Sequence, residues 1–296
     1  MTSFLTPRQY FKLRGGRPRK RFGQNFLEQP ATAERIVASA HLEPSQVAVE
    51  IGPGLGALTR HIFPRVNRLH LIELDRDLAA YLEQTLSEML HSGEAGHAFR
   101  DAHPSVSIHV QDVMTFDFSA LSHAEGAPLV VLGNLPYQIS SPLMFHLLES
   151  RAAISHAVFM VQKEVGERFT ARPSTREYGV LSVLLAIYAK ATPLFLVGPG
   201  QFFPPPQVDS MVLRVDYLPP SPEADELFPF VRRLVSLAFQ KRRKTLLNAL
   251  KDLGHGDRDS LLRALSSLSI DPQRRPETLT PREFLDLAQA LEGLLP

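Results

Sequence analysis

The sequence predicts an α/β domain with a mostly parallel sheet, followed by a small all-helical domain. Over the first 200 residues, short apolar stretches alternate with helical patterns, as in successive β-α-β units. At 218–223 the sequence Leu-Pro-Pro-Ser-Pro-Glu indicates a linker, and beyond it only helical periodicity continues. The 296 residues are enough for one large domain and one small domain.

The α/β pattern predicts individual elements. Apolar runs predict strands at 47–51, 69–73, 106–110, 129–132, 157–161 and 211–215. Helical patterns lie at 55–63, 76–90 and 142–149. Residues 91–104 lack periodicity and indicate an inserted solvated loop, in which a metal site built from its three histidines is the minor alternative.

In the second domain, apolar residues from Leu227 to Ala238 recur at helical spacing. Thr280 and Glu283 form a capping box, with proline at the first helical position, that opens a last helix through Leu291. The predicted organisation is therefore a basic N-terminal arm at 1–27, the α/β domain at 28–217 and the helical domain at 218–296.

The composition excludes several classes of protein. The chain has no Cys, which rules out disulfide scaffolds and thiolate metal sites. Its longest apolar run, at 180–189, is far shorter than the roughly 20 residues that span a bilayer, and no apolar leader follows Met1. We expect a cytoplasmic monomer that binds neither a membrane nor a metal.

The net charge of +1 conceals an asymmetric distribution of charges. Residues 1–27 contain seven basic side chains and no acidic one, and so do residues 231–251. The remaining 248 residues carry 18 Lys and Arg against 31 Asp and Glu. Acid-free basic segments suit a polyanion such as RNA, although a solvated helix face and a disordered arm would look the same.

A glycine-rich turn predicts a cofactor site. Gly52, Gly54 and Gly56 follow a buried strand and precede a helix, so the backbone can approach a ligand closely. Glu73 ends the next strand, where its carboxylate can accept hydrogen bonds from ribose hydroxyls. The same spacing satisfies the dinucleotide fingerprint, which keeps NAD as an alternative, and a purely structural turn also remains open.

Asp112 follows the third strand and would lie at the same edge of the sheet. A carboxylate there can accept from the exocyclic amine of adenine, which completes a grip typical of S-adenosylmethionine sites. Its alternative role is to cap a helix or turn.

A second motif predicts how a target base is held. The strand at 129–132 runs into Gly133-Asn134-Leu135-Pro136-Tyr137, at the strand end where open α/β sheets bind ligands. The Asn134 side-chain oxygen and the Leu135 carbonyl can both accept from one amine, and Tyr137 can stack on the base. A tight turn without function is the alternative.

The proline-stiffened loop that begins with Phe202 and Phe203 precedes the last strand. One of its rings could supply the second face of a sandwich around a flipped-out base.

Taken together, these motifs resemble the ribosomal RNA adenine N6-dimethyltransferase family, most closely its bacterial small-subunit (16S) branch. The resemblance extends over residues 20–296 and leaves out the arm before Arg19 and the insertion at 91–104. It is carried by the segments 20–27, 50–56, 72–75, 111–112, 134–142, 202–206, 238–250 and 275–279.

The resemblance implies a Rossmann-like class I S-adenosylmethionine-dependent methyltransferase domain with a C-terminal helical RNA-binding domain. It implies cofactor contacts from Asn25, Leu27, Gly52, Gly54, Glu73, Asp112 and Asn134. Asn134, Leu135, Tyr137 and Phe202 would place the target adenine, with Phe203 as the alternative ring. RNA phosphates would be bound by Arg19, Lys20, Arg21, Lys241, Arg242, Arg243 and Lys244.

The implied reaction is methyl transfer to N6 of two adjacent adenosines near the 3′ end of small-subunit RNA, within a pre-30S particle. Positioning would provide most of the catalysis, without a strongly shifted side-chain pKa. Three alternatives stay open: a large-subunit RNA dimethyltransferase of the antibiotic-resistance type, a Rossmann oxidoreductase and a mainly non-catalytic ribosome-assembly factor.

Overall fold

The computed structural model describes residues 4–19, 23–91, 104–219, 221–251, 253 and 258–292. The chain divides into two compact units. Unit 1 comprises Met1–Gly166 and Thr192–Tyr217, and unit 2 comprises Glu167–Ala191 and Leu218–Pro296. One boundary falls at residue 218, where the helical domain is predicted to begin. Unit 2 also includes Glu167–Ala191, which the predicted organisation assigns to the α/β domain.

Unit 1 is built on a mostly parallel sheet, which confirms the predicted fold class. The strands of the chain are β1 Phe26–Leu27, β2 Val47–Ile51, β3 Arg68–Ile72, β4 Ser105–His109, β5 Leu129–Asn134, β6 Ile154–Gln162, β7 Ala189–Val197, β8 Phe202–Phe203 and β9 Ser210–Tyr217. Seven of them form a sheet in the order β4-β3-β2-β5-β6-β9-β7, and β1 pairs with β8. Every strand predicted from the sequence is present, with bounds that differ by a few residues at most.

The helices are α1 Pro7–Arg14, α2 Pro30–Ala38, α3 Thr59–Ile62, α4 Arg76–His91, α5 Phe118–Glu125, α6 Ser140–Glu149, α7 Lys163–Phe169, α8 Val180–Tyr188, α9 Pro222–Gln240, α10 Leu246–Ala249, α11 Arg258–Ser267 and α12 Pro281–Glu292. Helix α3 is shorter than predicted because the glycine turn continues up to it. The capping box of α12 is confirmed, since Glu283 N–H donates to Thr280 Oγ1 at 3.1 Å and Thr280 N–H donates to Glu283 Oε2 at 2.7 Å.

Helix α8 explains why Glu167–Ala191 belongs to unit 2. Its sequence is apolar almost throughout, and it packs against α9 and α12, which lie beyond the linker. An apolar helix must bury its surface against other helices or a sheet, and here the partners come from the C-terminal part of the chain.

The order of the parallel strands creates a ligand-binding edge. From β2 the chain adds β3 and β4 on one side, then crosses to the other side of β2 and adds β5 and β6. Open α/β sheets bind ligands at the carboxyl ends of the strands where the order reverses, here between β2 and β5.

Strands β2 and β5 approach each other closely at this point. Ile51 pairs with Gly133, and a Cβ added at Gly133 would lie 2.9 Å from the Ile51 carbonyl oxygen and 2.9 Å from Leu135 Cδ2. Glycine is therefore required at 133. The pairing makes Gly52 and Asn134 neighbours at the ends of the two strands.

Glu50 is a buried acid in β2, beneath this edge. Thr59 Oγ1, at the start of α3, donates to Glu50 Oε2 at 2.6 Å. Burial raises the pKa of Glu50 to about 8; the Thr59 hydrogen bond lowers it and the nearby Glu73 charge raises it. Glu50 is therefore mostly a neutral acid at pH 7.

The raised pKa of Glu50 makes the free energy of unfolding depend on pH. In the unfolded chain its pKa returns to the ordinary value of 4.5. The folded state therefore holds the extra proton between these two values, and stability falls as pH rises from about 5 to about 8. As pH rises over this range, we expect the melting temperature of Glu50→Gln to fall less than that of the unsubstituted protein.

The measurement is thermal unfolding followed by circular dichroism at a series of pH values. Glu83→Gln, on the exposed surface of α4, is the matched control and should keep the original pH dependence. An unchanged slope for Glu50→Gln would show that Glu50 does not titrate in this window.

Candidate functional site

A cavity of about 210 Å³ lies in unit 1 at the carboxyl edge of the sheet. It brings together residues that are far apart in the chain, from the segment before α2 to the turn after β5. Nine of the predicted site residues line it: Asn25, Leu27, Gly52, Gly54, Glu73, Asp112, Asn134, Leu135 and Tyr137.

The glycine turn and Glu73 form one hydrogen-bonded unit. Gly52 and Gly54 have φ values of +63° and +59°, which favour glycine. Gly54 N–H donates to Glu73 Oε2 at 3.0 Å, and Asp75 N–H donates to Glu73 Oε1 at 2.8 Å. Each carboxylate oxygen keeps a second lone pair, with which it can accept a hydrogen bond from a ligand hydroxyl.

This geometry disfavours a pyrophosphate in the turn. The Gly54 N–H is already bonded to a carboxylate, and α3 begins only at Thr59, so the turn does not lead directly into a helix N-terminus. The carboxyl groups of Glu73 and Asp112 line the cavity beside the neutral acid Glu50. Such a lining favours a cationic ligand over an anionic one.

Asp112 has its predicted capping role and also lies at the cavity, while its contact with the cofactor stays a prediction. Its Oδ1 accepts from Met114 N–H at 2.9 Å and so caps the short helical turn that follows. The residue is exposed and also lines the cavity. The hydrogen bond fixes the carboxylate at the end of β4, where it can still accept from a ligand.

Asn134 is oriented by a residue of the N-terminal segment. Its Nδ2 donates to the Asn25 carbonyl oxygen at 3.1 Å, across 109 residues of sequence. The side-chain Oδ1 is the remaining acceptor of Asn134. The next residue is fixed as well, because Leu135 N–H donates to the Met160 carbonyl at 3.0 Å.

Tyr137 is held by a residue that the sequence did not single out. Its hydroxyl lies 3.0 Å from Ser210 Oγ, at the start of β9. Burial raises the pKa of the Tyr137 phenol, so the hydroxyl stays protonated and keeps this hydrogen bond at neutral pH. Ser210 is the last residue of the proline-stiffened loop that begins with Phe202. Its position at the end of that loop is the only feature of the sequence that could have indicated this role.

The two phenylalanines of the proline-stiffened loop differ in exposure. Strand β8 pairs with β1, so that Phe202 lies beside Leu27 and Phe203 beside Phe26. Phe202 is only 2% exposed and is not among the described residues that line the cavity, whereas Phe203 is half-buried. The role of Phe202 as a stacking ring stays a prediction.

In the N-terminal arm, Arg19 forms ion pairs within unit 1, and its predicted contact with RNA stays a prediction. Arg19 Nη1 lies 2.7 Å from Asp75 Oδ1, and Nη2 pairs with Asp77. The ion pairs tie the arm to the start of α4. The predicted contacts Lys20 and Arg21, and residues 92–103 of the insertion, lie outside the described residues.

Arg242 in the basic run after α9 is engaged within unit 2. Its Nε lies 2.7 Å from Glu277 Oε2, and its two Nη atoms donate to the carbonyls of Arg176 and Thr175 at 2.7 and 2.9 Å. Arg242 therefore has a structural role within unit 2, and its predicted phosphate contact stays a prediction. Arg243 and Lys244 are exposed, and Lys241 is half-buried.

Within the described ranges, no helix is long and apolar enough to cross a membrane. The same residues contain no group of three or more His, Cys, Asp or Glu side chains arranged to hold a metal ion.

The comparisons with known proteins agree on one family. The family described as "Ribosomal RNA adenine dimethylase" matches residues 15–292. "Ribosomal RNA small subunit methyltransferase A" of Syntrophotalea carbinolica is 43% identical over 276 residues, which are 93% of this chain and 97% of that protein. The Escherichia coli protein of the same name is 40% identical over 273 residues, or 92% and 93% of the two chains.

Among solved structures, a dimethyladenosine transferase from Plasmodium falciparum is similar with a TM-score of 0.74 and 24% identity, over 90% of this chain and 98% of that one. This likeness confirms the predicted Rossmann-like class I methyltransferase fold with its C-terminal helical region. A match that spans nearly the whole sequence is decisive: the chain belongs to the ribosomal RNA adenine dimethylase family.

Proposed function

We propose that this protein transfers methyl groups from S-adenosylmethionine to N6 of two adjacent adenosines near the 3′ end of small-subunit ribosomal RNA, giving N6,N6-dimethyladenosine. One observation carries the proposal. A single cavity holds both the fixed Glu73 carboxylate and Asn134, whose Nδ2 is bonded to Asn25. A cofactor-binding acid and an amine-orienting amide thus lie at the ends of strands of one sheet.

S-adenosylmethionine is the cofactor of the family to which the chain belongs. The lone pairs left on Glu73 would accept from its ribose hydroxyls, and Asp112 from its adenine amine. The carboxyl groups of Glu73 and Asp112 suit a sulfonium cation and disfavour the pyrophosphate of NAD. Family membership also removes the Rossmann oxidoreductase as an alternative.

The target adenine would be oriented by the turn after β5. Asn134 Oδ1 and the Leu135 carbonyl accept from the N6 amine, which directs the nitrogen lone pair at the sulfonium methyl. Tyr137, fixed by Ser210, offers a ring for stacking. S-adenosylmethionine would supply the methyl group: sulfur would keep the electrons of the broken C–S bond, and the amine would lose its proton to solvent.

The proposed substrate is small-subunit ribosomal RNA within a pre-30S particle, bound by a monomeric, cytoplasmic enzyme. The names of the relatives support the small subunit over the large one. The nine predicted residues that line the cavity support an enzyme over a non-catalytic assembly factor. In unit 2, the exposed Arg243 and Lys244 are the described side chains best placed for phosphate contacts.

The reaction itself can be tested with radiolabelled S-adenosylmethionine. Undermethylated small subunits, free large-subunit RNA and a sample without RNA should be incubated in parallel. Label confined to adenines of the small-subunit RNA is the expected result. Label on large-subunit RNA, or no label at all, would contradict the proposed function.

Asn134→Ala should reduce kcat by about 100-fold, since the amine loses its orienting acceptor. The affinity for S-adenosylmethionine should change much less. Single-turnover methylation and calorimetry measure the two quantities, with the exposed Gln84→Ala on α4 as the control. Near-normal turnover in Asn134→Ala would refute the amine-orienting role.

Glu73→Gln should weaken the binding of S-adenosylmethionine at least about tenfold. The substitution loses an acceptor for the ribose, and it leaves one backbone N–H, of Gly54 or Asp75, facing the new amide donor. Calorimetry measures the loss, and Glu83→Gln should bind as the unsubstituted protein does. An unchanged affinity would exclude Glu73 from the cofactor site.

Arg243 and Lys244 can be compared with Arg242 by their effects on RNA binding. Replacing both Arg243 and Lys244 by Gln should lower RNA affinity and reduce the slope of log affinity against log salt by about one for each lost phosphate contact. Arg242→Gln should mainly lower the melting temperature, because it leaves Glu277 without its partner. A double variant with the original salt slope would mean that these residues form only a solvated surface.

A further inference from the structure

We propose that the N-terminal segment Phe4–Arg14, hereafter the N-terminal clamp, forms one wall of the cofactor site and slows release of the cofactor. The inference rests on the proposed function, because it takes S-adenosylmethionine and its product S-adenosylhomocysteine as the occupants. It assigns apolar contacts to Leu5 and Pro7, which the motifs of the family do not include.

The clamp reaches the cavity directly. Leu5 and Pro7 line it together with Gly52, Gly54 and Leu55 of the glycine turn. Leu5 is half-buried, so part of its side chain is available to a ligand. A wall of this kind can exclude water from one side of the bound cofactor.

Phe4 anchors this wall on the glycine turn. A Cβ added at Gly56 would lie 2.3 Å from Phe4 Cε1, so the ring rests where a side chain would otherwise be. The Arg60 guanidinium lies 5.1 Å from the centroid of the Phe4 ring, and Arg60 Nε donates to the Gly56 carbonyl. Phe4 is buried, and of these two contacts Arg60 lines the cavity.

Tyr81 of α4 provides a second anchor. Leu5 N–H donates to the Tyr81 hydroxyl at 2.7 Å, and the Tyr10 and Tyr81 rings meet edge-to-face at 5.1 Å between centroids. Both tyrosines are buried. These contacts hold the backbone of Leu5 in place and so determine where its side chain enters the cavity.

The clamp also contacts the paired strands β1 and β8. The Phe11 ring lies 5.7 Å from Phe26 and 6.4 Å from Phe203. Arg8 stacks on Phe203 at 4.7 Å and pairs with Glu28 at 3.2 Å. The helix of the clamp therefore contacts both the cavity, through Pro7, and the paired strands β1 and β8.

The local sequence stabilises the helix of the clamp. Thr6 and Gln9 form a capping box, Pro7 occupies the first helical position, and Gly15 ends the helix with φ +66°. Leu13 is 73% exposed, so its side chain contributes little to the packed surface.

Retention of the cofactor matters for this reaction because each S-adenosylmethionine donates one methyl group. A dimethylated amine requires two, so S-adenosylhomocysteine must leave and a new cofactor must enter between the transfers. A wall formed by one short helix outside the sheet can detach at a lower free-energy cost than a strand of the sheet, even with these contacts. Detachment of the clamp would then open the site for exchange.

The test measures S-adenosylhomocysteine binding by calorimetry and its release by stopped-flow fluorescence. Phe4→Ala and Leu5→Ala should each lower affinity by about fivefold and raise the release rate by a similar factor. Leu13→Ala, on the same helix, is the matched control and should behave as the unsubstituted protein does. RNA affinity measured without cofactor should stay the same in all three variants.

Melting temperatures of the ligand-free proteins separate loss of the wall from loss of the fold. Should Phe4→Ala unfold, Leu5→Ala decides, because its side chain is only half-buried. Affinity and release rate within twofold of the original in Leu5→Ala would overturn the clamp. If the unsubstituted protein binds no S-adenosylhomocysteine, the proposed function fails, and the clamp fails with it.

Discussion

The pairing of β2 with β5 is the contact on which the site depends. It sets Ile51 against Gly133 at a separation that admits no side chain, and it thereby joins the glycine turn to the turn that begins at Asn134. These turns follow strands that are distant in sequence, and parallel pairing places both at one edge. A larger residue at 133 would push apart the two halves of the site rather than damage one of them.

Hydrogen bonds from backbone and side-chain groups then orient the polar side chains at this edge of the sheet. Glu73 is held by two N–H groups, Asn134 by a carbonyl and Tyr137 by a serine hydroxyl. A methyl transfer that works through positioning benefits from groups whose orientations are fixed before the substrate arrives. In the turn after β5, hydrogen bonds to Asn25 and Ser210 orient Asn134 and Tyr137 in this way.

Local patterns predicted most of the fold and nine of the residues that line the cavity, because short stretches of sequence encode strand ends, glycine turns and caps. Three features depend instead on contacts between distant residues, which no local pattern encodes. Helix α8 belongs to unit 2 only because α9 and α12 bury it. Arg242 lies in a basic segment typical of an RNA-binding surface, yet its side chain forms an ion pair with Glu277. The clamp lies on Gly56 and Tyr81, which no pattern within residues 4–14 reveals.

Glu50 has a further consequence, because it lines the cavity as a neutral acid. A cationic ligand bound beside it would favour the carboxylate, lower its pKa and release a proton to the buffer. Binding would then become tighter as pH rises toward 8, over the same range in which the empty protein becomes less stable. The acid would thus couple ligand affinity and folding to pH in opposite directions, and the stabilisation that the ligand provides would be greatest under mildly alkaline conditions.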